Sequence, residues 1–190
     1  MARPLSEEKR NAILAAAADA IAALGVSAAT ARIAKDAGIA EGTLFVYFPT
    51  KDDLLNQLYL ALKDELKAAV NADYPAGAGV KECCRHFWNR SIEWGAKNPA
   101  KRKAMRQLGV SEKVTEASRK AGFEIFRDIQ AMLDEGFRSG ILRQQPASFL
   151  GATIEALTDM VLDLVSRDRG NLEQYKNSGF ETLWGAISAK

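Results

Sequence analysis

An all-α fold is what this sequence predicts, and three observations predict it. Apolar residues recur at intervals of three and four along nearly the whole chain, which is the spacing of one face of a helix. No stretch sustains the alternation with β-branched residues that a half-buried strand requires. Gly25, Gly38, Pro49, Gly140 and Pro146 fall where the periodic segments begin or end. The pattern predicts about nine helices with short connections, a bundle rather than a solenoid, since no internal repeat is present.

Ser6 caps a first helix, with Glu7 and Glu8 placed to complement its dipole. Ile13, Leu14, Ala17, Ile21 and Leu24 form its apolar face, and Gly25 stops it. Thr30 opens a second, short helix that runs to Ala37, and Gly38-Ile39-Ala40 makes a turn. A third helix reaches about Phe48, where Pro49 blocks extension. Thr50 with Asp53 approximates a capping box for a long fourth helix, whose apolar face is Leu54, Leu55, Leu58, Leu62 and Leu66. Tyr74 to Gly79 is the clearest break. A fifth helix spans about Val80 to Lys97, and Pro99 starts a sixth. Ser111 to about Arg138 reads as one seventh helix closed by Gly140. Pro146 opens an eighth that reaches Ser166, and a ninth runs from Leu172 to Ser188.

Composition narrows the class. Of 190 residues, 47% are hydrophobic and 26% charged, which suffices for an ordinary globular core. The net charge of +2 does not announce a nucleic-acid binder, and residues 1–51 are close to balanced in sign, so DNA binding has to be argued from motif and placement. Cys83 and Cys84 are neighbours, a spacing that strains a disulfide, and with the single His86 they make no zinc constellation. No cofactor is expected. There is no Gly-rich phosphate loop and no nucleophile motif, which speaks against an enzyme. Unpaired cysteines, the absence of an apolar run of roughly 18 residues, and an opening Met1-Ala2-Arg3-Pro4-Leu5 without an apolar core predict a cytoplasmic protein with no membrane partner.

Residues 30–48 supply two short helices joined by a glycine turn, an arrangement that places the second helix where it can enter a major groove. Ile33, Ala34, Leu44 and Phe48 face inward, and Thr43, Val46 and Tyr47 are left outside; small groups at Ala40 and Gly42 let the backbone approach DNA closely. The stretch from Ile33-Ala34 through Gly42-Thr43-Leu44 to Tyr47-Phe48, continuing into Pro49-Thr50-Lys51-Asp52-Asp53-Leu54-Leu55, resembles the TetR family of repressors. The resemblance implies a helix-turn-helix domain over 1–50 and a ligand-binding and dimerisation domain over 51–190. It also implies a phosphate contact for Thr30, phosphate or base contacts for Thr43 and Tyr47, and charge neutralisation by Lys51. Arg32 and Lys35 read either as DNA contacts or as solvated charges. Ala40 stands where that family usually has a capping serine. Glu41 either accepts from a cytosine amino group or simply complements the helix start.

Further stretches, among them Ala40-Glu41-Gly42-Thr43-Leu44-Phe45, Phe87-Trp88-Asn89, Ile92-Glu93-Trp94-Gly95 and Arg106 to Lys113, are similar to RamR-type regulators, TetR-family repressors of multidrug-efflux activators. That similarity implies a small hydrophobic or amphipathic inducer in the carboxy-terminal domain. Tyr59, Lys63, Cys84 and Trp88 would line its pocket, with Phe123, Ile154 and Glu155 as further candidates. An aromatic at helical spacing serves a core equally well, and Trp88 and Tyr59 stand open between the two roles. The last two helices carry two apolar strips. One is Ala152, Ala156, Leu157, Met160, Val161 and Leu164; the other is Phe180, Leu183, Trp184 and Ile187. Together they predict a homodimer and hence a palindromic operator on double-stranded DNA. The basic run Lys97, Lys101, Arg102, Lys103 and Arg106 reads as a solvated face or a further DNA contact, and Asn98-Pro99 as a hinge. The alternative is a dimeric DNA-binding regulator without an inducer.

Overall fold

A computed structural model of the chain describes residues 5–189; residues 1–4 of the expected non-secretory start, with Arg3, lie outside the described residues, as does Lys190. Ten α-helices occur among the described residues: α1 Glu7–Leu24, α2 Thr30–Asp36, α3 Glu41–Tyr47, α4 Lys51–Asn71, α5 Val80–Lys97, α6 Pro99–Gly109, α7 Glu116–Glu124, α8 Arg127–Arg138, α9 Ala147–Arg167 and α10 Leu172–Ile187. No strand occurs among those residues; the one β contact is an antiparallel bridge between Leu142 and Ser188. None of the helices is long and apolar enough to cross a membrane.

The predicted seventh helix is two. Its start moves to Glu116 because Thr115 is the cap: its hydroxyl accepts from the Ser118 amide at 3.1 Å, and its own amide donates to Asn56 Oδ1 at 2.9 Å. The helix then breaks at Phe126, whose backbone leaves the helical region (φ −99°, ψ 30°) and whose ring meets Phe87 edge-on at 6.3 Å. The expected capping box at the start of α4 is formed reciprocally. Thr50 donates through its amide and hydroxyl to Asp53 Oδ2 at 3.1 and 2.8 Å, and the Asp53 amide donates to Thr50 Oγ1 at 3.0 Å.

The chain packs as two units, one reaching to Glu65 and taking in Asn98–Ile125, the other made of Leu66–Lys97 and the chain from Phe126 on. In the first unit α1 packs on α2 and α6. Its run of short alanine side chains, Ala16, Ala17, Ala18, Ala20 and Ala22, is buried on several faces around Ile13 and Ile21. Leu24, expected on the apolar face, is instead exposed at the helix end, beyond the reach of that packing. Leu54, Leu55, Leu58 and Leu62 of α4 close the same core with Leu44, Phe48 and Leu108.

In the second unit Trp88 and Ile92 of α5 meet Leu150, Val161, Leu162 and Val165 of α9 and Phe180, Leu183 and Ile187 of α10. Glycine lets these helices close. A Cβ on Gly179 would come within 2.5 Å of Trp88 Cζ2 and 2.6 Å of Val161 Cγ2, and one on Gly95 would run into Leu162. Lys176 is almost wholly buried, its Nζ donating to Glu93 at 2.9 Å and Glu173 at 2.8 Å. Burial opposes its charge, but the two carboxylate hydrogen bonds outweigh it and raise its pKa.

This core corrects the second apolar strip expected on the last helix. Phe180, Leu183 and Ile187, with Val161 of α9, are spent inside the subunit. The apolar row left outside lies on α9: Phe149, Ala152, Ala156, Met160 and Leu164 at intervals of three and four.

Candidate functional site

Ile33 and Ala34 anchor α2, and Leu44 with Phe48 anchors α3, all four buried in the first core. Between the helices Gly38 takes φ +70°, a left-handed position that glycine adopts without strain, and the Ile39 amide donates to Ala34 O at 3.0 Å. The turn therefore fixes the angle at which α3 leaves α2. With roughly 100° between successive residues, the direction opposite Leu44 on α3 belongs to Gly42 and Val46, flanked by Thr43 and Phe45. Val46 is 63% exposed and Phe45 40%.

The other predicted DNA residues lie on α2, at the two ends of α3 and at the start of α4. Ala40 precedes α3 with no side-chain cap, as its replacement of a serine implies. Thr30, half-buried at the start of α2, does not have a free hydroxyl: it donates to Glu41 Oε1 at 2.6 Å, tying the starts of α2 and α3 together. Arg32 pairs with Asp36 one turn on, at 2.6 Å, and both are partly solvated. Lys35 is exposed, and Lys51, the first residue of α4, is half-buried. Tyr47 is half-buried rather than fully outside, and its hydroxyl accepts from the Ser6 amide at 3.1 Å, leaving the phenol proton available to a further acceptor.

Two features of the site escaped the sequence reading. Phe45 was not among the expected outer residues, although a helical wheel centred on Leu44 would have found it. The Thr30–Glu41 bond joins residues eleven apart across a turn, and no local pattern signals it.

The expected ligand residues divide between the units. Tyr59, Lys63 and Phe123 belong to the first, and Cys84, Trp88, Ile154 and Glu155 to the second. Tyr59 is buried, with Lys63 Nζ 5.5 Å from its ring centre and its edge so close to Gly122 that a Cβ there would lie 2.7 Å from Cε1. Phe123 next to that glycine is exposed. Trp88 is wholly buried, and its indole N–H donates to Lys176 O at 2.8 Å. Cys84 is buried with its Sγ 3.6 Å from Met132 Sδ; burial, reinforced by the neighbouring Cys83, pushes its thiol up to about 12. Such a thiol stays protonated and unreactive near neutral pH. Ile154 packs on the second core from α9, while Glu155 beside it is exposed. Among the described residues no group of three or more His, Cys, Asp or Glu side chains is gathered to hold a metal.

Comparison with known proteins bears on the first unit most directly. Residues 13–58, which contain α2, the turn and α3, match the family model described as "Bacterial regulatory proteins, tetR family". Over the whole chain the fold is similar to that of a protein from Shewanella sp. PV-4 assigned to the tetR family of transcription regulators. The two share 28% identity and a TM-score of 0.84, across 96% of this chain and 99% of that one. A TetR family transcription regulator from Marinobacter aquaeolei VT8 aligns at 22% identity and TM-score 0.86, covering 97% of each chain. The transcriptional regulator FadR from Bacillus subtilis, in complex with stearoyl-CoA, aligns at 22% identity and TM-score 0.71 over 92% of this chain and 97% of that one.

Proposed function

We propose that this chain is a DNA-binding transcriptional regulator of the TetR family, a homodimeric repressor of the RamR type that leaves a palindromic operator when an amphipathic small molecule binds. Its targets on this reading are multidrug-efflux or stress genes. DNA reading falls to residues 1–50, and ligand binding and dimerisation to 51–190.

The observation that carries the reading is the α2–α3 pair. Two short helices are anchored by Ile33, Ala34, Leu44 and Phe48, and the crest of the second helix is left uncovered inside the matched stretch 13–58. Thr30, Arg32, Lys35, Ala40, Gly42, Thr43, Val46, Tyr47 and Lys51 are the proposed DNA-facing residues. Support for a small-molecule signal comes from the fold shared with the stearoyl-CoA complex of Bacillus subtilis FadR. For a ligand to release DNA it must bind the DNA-incompetent form more tightly than the competent one. The chain passes between its units within α4, at the α5–α6 junction beside Asn98-Pro99 and at the break between α7 and α8, and these crossings are the covalent routes for that coupling.

The test is a screen of the intergenic DNA adjoining the gene by fluorescence anisotropy, repeated with fatty-acyl, steroid-like and other amphipathic compounds. Saturable binding to a palindrome, reversed by at least one compound class, is the expected result. Binding that no compound reverses, with tryptophan fluorescence unmoved, would instead favour a regulator without an inducer.

Two substitutions probe the DNA head. Lys51→Ala is expected to lower the slope of log affinity against log salt by about 1 per subunit, because one phosphate contact is lost. Glu41→Gln should strengthen operator binding by about two- to fivefold at low salt. It removes a negative charge from the DNA side of the domain while its amide oxygen can still accept from Thr30. Weaker binding by the Gln variant would mean that the carboxylate itself accepts from a base.

A further inference from the structure

The crest of α3 carries no hydrogen-bonding side chain. Gly42 and Val46 lie opposite the buried Leu44, and Phe45 flanks them, with Val46 63% and Phe45 40% exposed. Of the polar groups beside them, Glu41 accepts from Thr30, the Tyr47 hydroxyl accepts from the Ser6 amide, and Thr43, half-buried, flanks the crest on the side away from Phe45. Exposing a valine and a phenylalanine side by side on a short helix has no use in the subunit's own core, which Leu44 and Phe48 supply.

Gly42 gives a second, separate indication. Glycine weakens a helix relative to alanine, and here the subunit gains nothing in return. Its φ is not in the left-handed region, and an added Cβ would meet nothing within 4 Å. The residue makes sense if something outside the chain comes close to the backbone at that point.

In a major groove the edges of base pairs offer donors, acceptors and one apolar group, the 5-methyl of thymine. A crest of Gly42, Val46 and Phe45 can discriminate only through that group. We infer that Val46 and Phe45 read thymine methyl groups, so that apolar contact supplies part of the operator specificity of α3. Gly42 lets the helix sink far enough for those contacts to close. The inference rests on the DNA-binding reading above, and it deepens that reading by naming what the recognition helix recognises.

The experiment replaces thymines of the operator by deoxyuridine, one symmetric pair at a time, and measures affinity at fixed salt. Deoxyuridine removes only the methyl group and keeps every donor and acceptor. Burial of one methyl is worth about fourfold in affinity, so at least one symmetric pair should cost about fifteenfold for the native protein. The same replacement should cost Val46→Ala or Phe45→Ala less than half as much on a logarithmic scale, since the contact is already gone. Both side chains are exposed, so neither variant disturbs the core; circular dichroism and dimer mass verify that. If every deoxyuridine duplex binds the native protein within twofold of the thymine duplex, the inference fails while DNA binding stands. It fails equally if the penalty persists undiminished in both variants. Absence of any sequence-preferring duplex would overturn the inference and the DNA-binding reading together.

Discussion

Trp88→Ala is expected to lower the unfolding free energy of the second unit by about 3–5 kcal/mol. The indole is wholly buried between α5, α9 and α10, and its outer edge fills the space that Gly179 leaves by having no Cβ. Truncation opens a cavity there and strips the Lys176 carbonyl of its indole donor at 2.8 Å, which adds the cost of an unmade buried hydrogen bond. Domains carry only about 5–15 kcal/mol in total, so the variant should unfold in the second unit well before the first. Urea denaturation followed by circular dichroism would then show two transitions in place of one.

A companion substitution checks the geometry. Gly179→Ala should cost about 1–3 kcal/mol by overpacking against Trp88 and Val161. The loss should shrink when Trp88 is phenylalanine, which vacates the Cζ2 position, although Val161 still crowds the new methyl. Additive losses in the double variant would mean that the two residues do not touch, and an unchanged midpoint in Trp88→Ala would mean that the indole is not in the core at all.

Trp88 also marks the limit of what the sequence discloses. Its helical spacing suits a ligand wall and a core equally, because periodicity identifies a face and not what covers it. The same ambiguity holds for α10, where the spacing of Phe180, Leu183 and Ile187 suits a dimer strip while the three pack within the subunit. The break between α7 and α8 was invisible for a related reason: Phe126, at the break itself, is neither a proline nor a side-chain cap, and only its non-helical backbone, with the ring against Phe87, reveals it. Where a signal is local the sequence speaks clearly. Thr50 and Asp53 announce the capping box of α4, Pro99 the start of α6, and Gly38 the turn before α3. The α2–turn–α3 segment is legible because helix starts, glycine turns and their spacing are local. The setting of Tyr59, Phe123, Cys84 and Ile154 is not, because these residues acquire their surroundings from distant parts of the chain.

The double substitution Met160→Glu with Leu164→Glu is expected to leave the protein monomeric and to weaken operator binding by about 10²- to 10⁴-fold. The two side chains, 46% and 38% exposed, continue the row begun by Phe149, Ala152 and Ala156 on α9, and none of these five lies in the subunit's own core. A two-fold contact through that row would set each helix against its own copy, so every added carboxylate would face its counterpart and be desolvated without a cation. Hydrophobic area would be lost in the same step. The effect on DNA follows from geometry: two heads on one frame bind a palindrome with the second contact made at high effective concentration, and separating them forfeits that gain. Light scattering at micromolar concentration and anisotropy on the operator give the two readouts. Ala147→Glu, exposed at the start of α9 and on the opposite side of the helix from the row, is the control and should stay dimeric with full affinity. A double variant that keeps both its dimer mass and its operator affinity would show that subunits meet elsewhere. A monomer that still binds the palindrome as tightly would show that the heads act singly.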